Sequence, residues 1–563
     1  MRVLTAILIT VLILPSIAST PLDPPSPGKL TSRALRAVSA TPSDLIVQAS
    51  GYPDLRAASA IADKPSRTRF VFERLTAHAQ SAQAALLRDL NARGLRATSL
   101  WISNQVWVRN ATAADALWLA RRRDVQQVDL DVTFQGTQVV RPLRGASAAT
   151  RRTAASANGI EWGVQRVGAP LVWAQGYTGT GVVVADLDTG VQWNHPGLIR
   201  AYRGWDGAVA SHDYNWFDAA GISVGAAYTY PFDDRGHGTH TVGTILGDDG
   251  LGNQVGVAPG ARWIGCRNML NNVGSVARYT ACFQFALAPT DVNGNNPDPS
   301  KAADITSNSW GCFPPGIEVG CEVATALITV TQSLRDAGIF VIASAGNAGP
   351  NCGSVSSAPA TLDQAFSIGA TNSANQIAGF SSRGPSTLTG RVKPDIVAPG
   401  ESVRSTVPGT PADPNQYGNS SGTSMAAPHV SGGVALLLNA APELRGRVSE
   451  VESILRRTAT PIQSSQDCAN TPGAAHPNNV FGYGLLNIDA AVQDAWRLRN
   501  PPLVQTPPVI PNVTDTLTVS ITLNNSYETI SLTNRILTFT LPASTTVIAA
   551  SPGVTNTGVV YTW

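Results

Sequence analysis

The stretch YGNSSGTSMAAPH, Tyr417–His429, sets Ser420, Ser421 and Ser424 in front of the apolar run Val430–Ala441. Two readings overlap in it. Gly418-Asn-Ser420-Ser-Gly422 spells G-x-S-x-G, a strand-to-helix turn that exposes a nucleophilic serine in one class of α/β enzymes. That class places an acid and then a histidine after the serine, and only His429 and His476 follow Ser420. His429 is too close to be set by a separate loop. Gly422-Thr-Ser424 instead puts Ser424 at the opening of the apolar helix, with Pro428 expected in its first turn, where a missing N–H is harmless. A serine there exposes its hydroxyl and keeps its backbone N–H free of any intrahelical acceptor, aimed where an oxyanion forms.

Upstream, polar residues punctuate apolar runs in a fixed order. Asp188 ends the run Gly181–Leu187, His237 lies in Gly236-His-Gly-Thr-His240, and Asn347 closes Ser344-Ala-Gly-Asn347 after Gly338–Ser344. Asp, His, Ser is one of the chain orders in which a nucleophilic serine triad is built. Ser424 would attack a carbonyl, His237 would carry its proton, Asp188 would hold the imidazole, and Asn347 would donate to the oxyanion. Asp186 competes with Asp188, because strand alternation sends both the same way; Asp188 is preferred for its place in the Thr-Gly turn. His237 and His240 would also suit a metal, but no third ligand stands at a metalloprotease spacing. His240 reads as a packed or capping residue.

Length and composition bound the rest. The chain has 563 residues, a net charge of +2 and six cysteines, all between Cys266 and Cys468. Its length asks for two to four domains. The balanced charge gives no reason to expect a nucleic-acid partner. Arg2, the apolar Leu4–Leu14 and Ser16-Ile-Ala18 read as a signal peptide over 1–19, and no later run is long enough for a transmembrane segment. Export makes disulfides natural, with Cys312–Cys321 the favoured pair.

Texture divides the chain further. Residues 20–43 read as a linker. Residues 44–134 read as strand, helix, strand, helix, strand, a small α+β domain. Residues 135–159 are a polar connector suited to proteolytic nicking, and 160–497 an α/β domain with a mostly parallel sheet flanked by helices. Residues 498–511 form a Pro-rich linker. The β-rich segment 512–563 has too few strands for a full sandwich, so the sequence is expected to stop inside a domain.

Asp188-Thr-Gly, His237-Gly-Thr-His, Ser344-Ala-Gly-Asn347, Gly422-Thr-Ser-Met-Ala, Phe380-Ser-Ser-Arg-Gly-Pro385 and Lys393-Pro-Asp-Ile-Val-Ala-Pro-Gly400 together resemble the signatures of subtilisin-like serine peptidases. Val191-Gln-Trp-Asn-His-Pro196, Tyr214-Asn-Trp-Phe217 and Gly247-Asp-Asp-Gly250 resemble the bacillopeptidase F branch. The resemblance implies a secreted, extracellular endopeptidase acting on protein or peptide substrates, with the tail module as the part that could hold it at the cell surface. It implies that 44–134 is a propeptide, chaperone and inhibitor of the same chain. Ser309, Trp310 and Gly311 match the family's substrate-pairing strand, and Ser344, Ala345 and Gly346, with Ala358-Pro-Ala360, its S1 walls. Those small residues imply a preference for large apolar or uncharged P1 residues. No cofactor is required for the chemistry. Where the family commonly carries an aspartate that helps bind a structural calcium, this chain has Gly197, which offers no carboxylate to a calcium site of the usual form; Asp233, Asp234, Asp248 and Asp249 could supply oxygens to another structural calcium site, or stand as solvated loop carboxylates or N-terminal helix charges. A catalytically dead binding scaffold and a serine esterase are the rival functions, the first disfavoured by four filled positions and the second by triad order.

Overall fold

The computed structural model describes residues 28–135, 159–311, 325–410, 413, 415–499 and five short strands of the tail. The signal region, most of the connector and the Cys312–Cys321 pair lie outside the described residues. The chain forms two compact units, Met1–Ala491 and Val492–Trp563.

The first elements are α1 (Ser32–Ala40), β1 (Ser43–Ala49), α2 (Lys64–Ala92), β2 (Ala97–Leu100), β3 (Gln105–Ala111), α3 (Ala113–Ala120), β4 (Val125–Leu130) and β5 (Thr133–Gln135). Strands β1 to β4 make an antiparallel sheet in the order β2-β3-β1-β4, the β-α-β-β-α-β arrangement. Asp63 caps α2 by accepting from Ser66 N–H, and Val71, Leu75, Ala79, Leu86 and Leu90 make its buried stripe, the spacing of an amphipathic helix. Alternation along the strands serves two cores. Leu45, Val47, Val106 and Val108 pack with Leu86 and Leu90 inside this domain, whereas Ile46 and Trp107, paired across the sheet, join the core of the rest of the unit.

Residues 20–43 are not simply a linker. Thr31 caps α1, Ala34 and Val38 are buried, Arg33 bonds Asp129, and Lys29 bonds the Arg122 carbonyl. The Ser- and Ala-rich composition hides a helix whose apolar face is only two residues wide. Strand β2 has no counterpart in the pattern expected from sequence, and β5 ends at Gln135, the first residue of the expected connector.

The larger part runs through α4 (Trp162–Arg166), α5 (Ala169–Trp173), β6 (Val183–Asp188), β7 (Trp216–Phe217), α6 (Ala219–Val224), α7 (His237–Leu246), β8 (Arg262–Arg267), β9 (Met269–Leu270), β10 (Val273–Ser275) and α8 (Val276–Leu287). It continues with β11 (Ile305–Asn308), α9 (Thr325–Asp336), β12 (Phe340–Ser344), β13 (Phe366–Thr371), β14 (Ile396–Pro399), β15 (Val403–Val407), β16 (Gln416–Ser420), α10 (Thr423–Ala440), α11 (Val448–Thr458) and α12 (Ile488–Arg499). Seven strands form one parallel sheet, β14-β13-β12-β11-β6-β8-β7. Every residue of β11 to β14 is buried, as a sheet covered on both faces requires. Helices α7 and α10 pack together and against this sheet, and α8 and α9 pack against strands β6 and β12 and carry the N-terminal domain. Disulfides join Cys266 to Cys282 and Cys352 to Cys468.

In the second unit, Val504–Gln505 pairs antiparallel with Ile521–Thr522, and Thr538–Thr540 and Thr555–Thr557 flank Val560–Thr562. Among the described residues no helix is long and apolar enough to cross a membrane.

Candidate active site

Adjacent parallel strands β12, β11 and β6 deliver Asn347, Ser309 and Asp188 just beyond or at their carboxyl ends, where open α/β sheets place their ligands. Asp188 is fully buried and its Oδ1 lies 2.6 Å from His237 Nδ1. The same oxygen accepts from Thr189 N–H at 2.7 Å. The neighbouring motifs are in contact at glycines. A Cβ on Gly238 would meet the Gly190 carbonyl at 2.1 Å, and one on Gly190, at φ +107°, the Phe232 carbonyl at 1.8 Å. Only glycine lets strand and helix approach so closely.

Helix α7 has no side-chain cap of its own residues; Asp233 supplies one. Its carboxylate accepts from Arg235, Gly236 and Thr239 N–H and from the Thr189 and Thr239 hydroxyls. Of the three sequence readings of this aspartate (calcium donor, loop carboxylate, helix N-terminal charge), the structure bears out the last: it fixes the turn that bears His237. Burial disfavours the imidazolium, but the Asp188 charge, aided by Asp233, outweighs it and holds His237 above its ordinary value. His237 Nε2 is buried with no hydrogen-bond partner among the described residues.

Asp186 faces the same helix but serves Thr241, whose hydroxyl lies 3.0 Å away. The two aspartates are thus separated: Asp188 meets the histidine and Asp186 does not. His240 Nε2 lies 3.1 Å from the Val403 and Gly418 carbonyls. Burial, reinforced by His237, lowers His240 to about 4, so it ties α7 to the β15–β16 hairpin as a neutral group.

Ser424 is the second residue of α10. Its hydroxyl donates to the Ser309 carbonyl at 2.9 Å, and the Ser309 hydroxyl donates back to the Ser424 carbonyl at 3.1 Å. That return bond corrects the expectation for Pro428. The helix begins at Thr423, so Pro428 lies in its second turn and removes the N–H that would reach the Ser424 carbonyl. Ser309 fills the gap. Ser420 is still a strand residue, the last of β16 and paired with Val403, whereas Ser424 lies inside the helix that follows.

Thr423, quoted in the motif but given no role from sequence, organises the oxyanion side. Its N–H and hydroxyl both lie 2.9 Å from Asn347 Oδ1, and the hydroxyl accepts from Gly346 N–H at 3.1 Å. With Oδ1 so engaged, Asn347 Nδ2 is turned free; it is buried without a partner among the described residues. Ser344, Ala345 and Gly346 lead from β12 to that asparagine, with Ala345 N–H on the Ile368 carbonyl. Ser309, Trp310 and Gly311 are buried beyond β11. The Trp310 ring stacks on Tyr279 at 3.7 Å and shares an apolar cluster with Phe134.

The four acidic candidates for calcium do not converge. Asp233 is spent on α7, Asp234 on Arg267 and Asn271 N–H, Asp248 on Gly250 N–H, and Asp249 on Leu251, Asn253 and Tyr417. Beside Gly197, where a Cβ would lie 2.9 Å from the Tyr417 hydroxyl, the Arg404 guanidinium covers the Tyr417 ring and bonds Glu161 and Asn253. A cation already stands in this cluster, and among the described residues no three carboxylates, histidines or cysteines gather to hold a metal ion, whereas a calcium ion takes 6–8 oxygens.

A model of the subtilase family matches residues 179–484, more than half of the chain. The chain belongs to the subtilase family. It is 40% identical to Bacillopeptidase F of Bacillus subtilis (strain 168) over 345 residues, 60% of this chain but 22% of that protein. It is 34% identical to Subtilisin of Bacillus pumilus over 340 residues, 60% of this chain and 100% of that protein. Subtilisin E of Bacillus subtilis (strain 168) is 33% identical over 60% of this chain and 72% of that protein. The subtilase match covers every strand of the parallel sheet and all four motifs.

Proposed function

We propose that the chain is an exported serine endopeptidase that hydrolyses peptide bonds in proteins through Asp188, His237 and Ser424. The observation that carries this reading is the 2.6 Å bond between His237 and Asp188, on the same sheet end as a serine at a helix N-terminus and an asparagine with a free amide. Ser424 Oγ attacks the scissile carbonyl and gives its proton to His237 Nε2. Asp188 fixes the tautomer and stabilises the imidazolium. The oxyanion is held by Asn347 Nδ2 and Ser424 N–H, and His237 returns the proton to the leaving amine before water releases the acyl group. Extended substrate pairs with Ser309–Gly311 by strand addition, and the uncharged Ala345, Gly346, Ala358 and Ala360 favour large apolar or uncharged P1 residues.

The N-terminal domain is the inhibitor and folding aid of the same chain, cut near the connector. Its exit strand β5 pairs antiparallel with β10, Phe134 opposite Gly274, and a Cβ on Gly274 would lie 2.1 Å from the Tyr279 hydroxyl. Asp131 accepts from Ala277 N–H at the start of α8. Both contacts direct the chain leaving this domain along the catalytic unit. Residues 1–19 act as export signal, and the tail spaces or tethers the enzyme outside the cell.

A fluorophosphonate probe and an unactivated protein substrate test the assignment. Wild type is expected to take the label at Ser424 and to cleave the protein, with Ser424→Ala doing neither. Labelled, ester-cleaving protein that leaves proteins intact contradicts it.

A further inference from the structure

Asp186 is a buried carboxyl behind the triad that the mechanism does not use. It is 1% exposed and stands in register with Gly265 of β8 and Ser307 of β11. Two strand residues rise ~6.7 Å and four helical residues ~6 Å, so as Asp188 meets His237, Asp186 meets Thr241 one turn on. Thr241 Oγ1 lies 3.0 Å from Asp186 Oδ1 and 3.0 Å from the Gly238 carbonyl. Asp186 Oδ2 is buried with no hydrogen-bond partner among the described residues.

A hydroxyl has one proton to give. If Asp186 were ionised, its Oδ1 and the Gly238 carbonyl would contend for that proton. The carboxylate would then be buried with at most one hydrogen bond beside Asp188 and Asp233, an arrangement that burial strongly disfavours. If Asp186 carries a proton, every donor has an acceptor. We propose that Asp186 is a positioning residue working as a neutral acid: its carboxyl O–H donates to Thr241 Oγ1, Thr241 donates to the Gly238 carbonyl, and the chain holds the first turn of α7, with His237, against β6. Burial first and the Asp188 charge second push this carboxyl well above the carboxylate range, in the same direction. The charges acting on it are Asp188 on its own strand and Asp233 before α7; His237 faces Asp188. The inference rests on the triad reading above.

The test uses the full chain, expressed and left to process. Asp186→Val removes the donor and is expected to lower kcat about tenfold to a hundredfold with little change in KM, the signature of a displaced base. Asp186→Asn, neutral and still a donor, is expected to restore kcat and leave the low-pH limb of kcat/KM where wild type has it. Thr241→Val breaks the chain from the other end and is expected to lower kcat likewise, which serves if Asp186→Val does not fold. In a Ser424→Ala background, the infrared difference between Asp186 and Asp186→Asn at neutral pH is expected to show the carbonyl band of a protonated carboxylic acid. Absence of that band, a limb in Asp186→Asn displaced toward acid by about one pH unit, or wild-type kcat in Thr241→Val overturns the proposal. Peptidase activity surviving Ser424→Ala would overturn the triad reading instead, and the infrared band is read independently of it.

Discussion

The Thr423 hydroxyl ties the start of α10 to the loop after β12, accepting from Gly346 N–H and donating to Asn347 Oδ1. Asn347→Ala is expected to lower kcat by about the 10²–10³ known for removal of such a donor from a subtilisin, with KM little changed. Thr423→Val should lose part of that by releasing the amide; steady-state kinetics on one peptide substrate measure both. His237 is held above its ordinary value, and it must be neutral to accept the Ser424 proton. Activity therefore rises with pH through a point above the free imidazole's ~6.5, and Asp188→Asn should move that limb to lower pH while costing about 10⁴ in kcat. A kcat/KM profile with its limb below that of free imidazole contradicts this assignment. The four motif residues were legible because their chemistry and chain order are local to the sequence. Asp233 was open to its observed role as a helix N-terminal charge, but the roles of Thr423 and Asp186 were not, since what a hydroxyl or carboxyl bonds is decided by elements far away in the chain.

At the scale of elements, helix α10 carries a proline in its second turn, and the hydroxyl of Ser309 bonds the carbonyl that the ring leaves without its N–H. Ser309→Ala leaves that buried carbonyl unpaired, which costs about 1–3 kcal/mol, and a lowered melting temperature checks it. Arg404 braces the loop beside Gly197 through Glu161, Asn253 and Tyr417. Arg404→Ala is expected to destabilise the protein, whereas chelation is expected to leave this loop's stability unchanged; a melting temperature that drops in chelator but not in Arg404→Ala contradicts the fit described for the cluster. The long apolar strands and the 3.6-residue stripe of α2 were plain in the sequence. Short elements were less so: α1 hides two buried residues in a Ser- and Ala-rich run, and β2 is four residues long. Their order comes from the surface they pack on, not from a pattern of their own.

At the scale of the molecule, the two-sided sheet of the N-terminal domain binds it to the larger α/β part, and Asp131 is buried where its exit strand meets α8. Burial, opposed by the Ala277 N–H, Ser275 and Arg278, raises Asp131 to about 7, with Asp44 acting in the same direction as burial. A carboxyl raised on docking from its free ~3.9 favours the docked state at low pH and loses that favour as pH rises through the docked value. The fraction of N-terminal domain that co-elutes with the processed enzyme should therefore fall between acid and neutral pH, and Asp131→Asn should flatten the trend. The strands around residues 45–47 and 106–108 were legible in sequence, but not that Ile46 and Trp107 make a second apolar face or which surface it would meet. The intact mass of the exported protein, wild type beside Ser424→Ala, tests the whole most directly. Wild type is expected to have lost an N-terminal piece ending between residues 134 and 159, with the mutant still long; equal processing of both, or of neither, contradicts a self-activating serine peptidase.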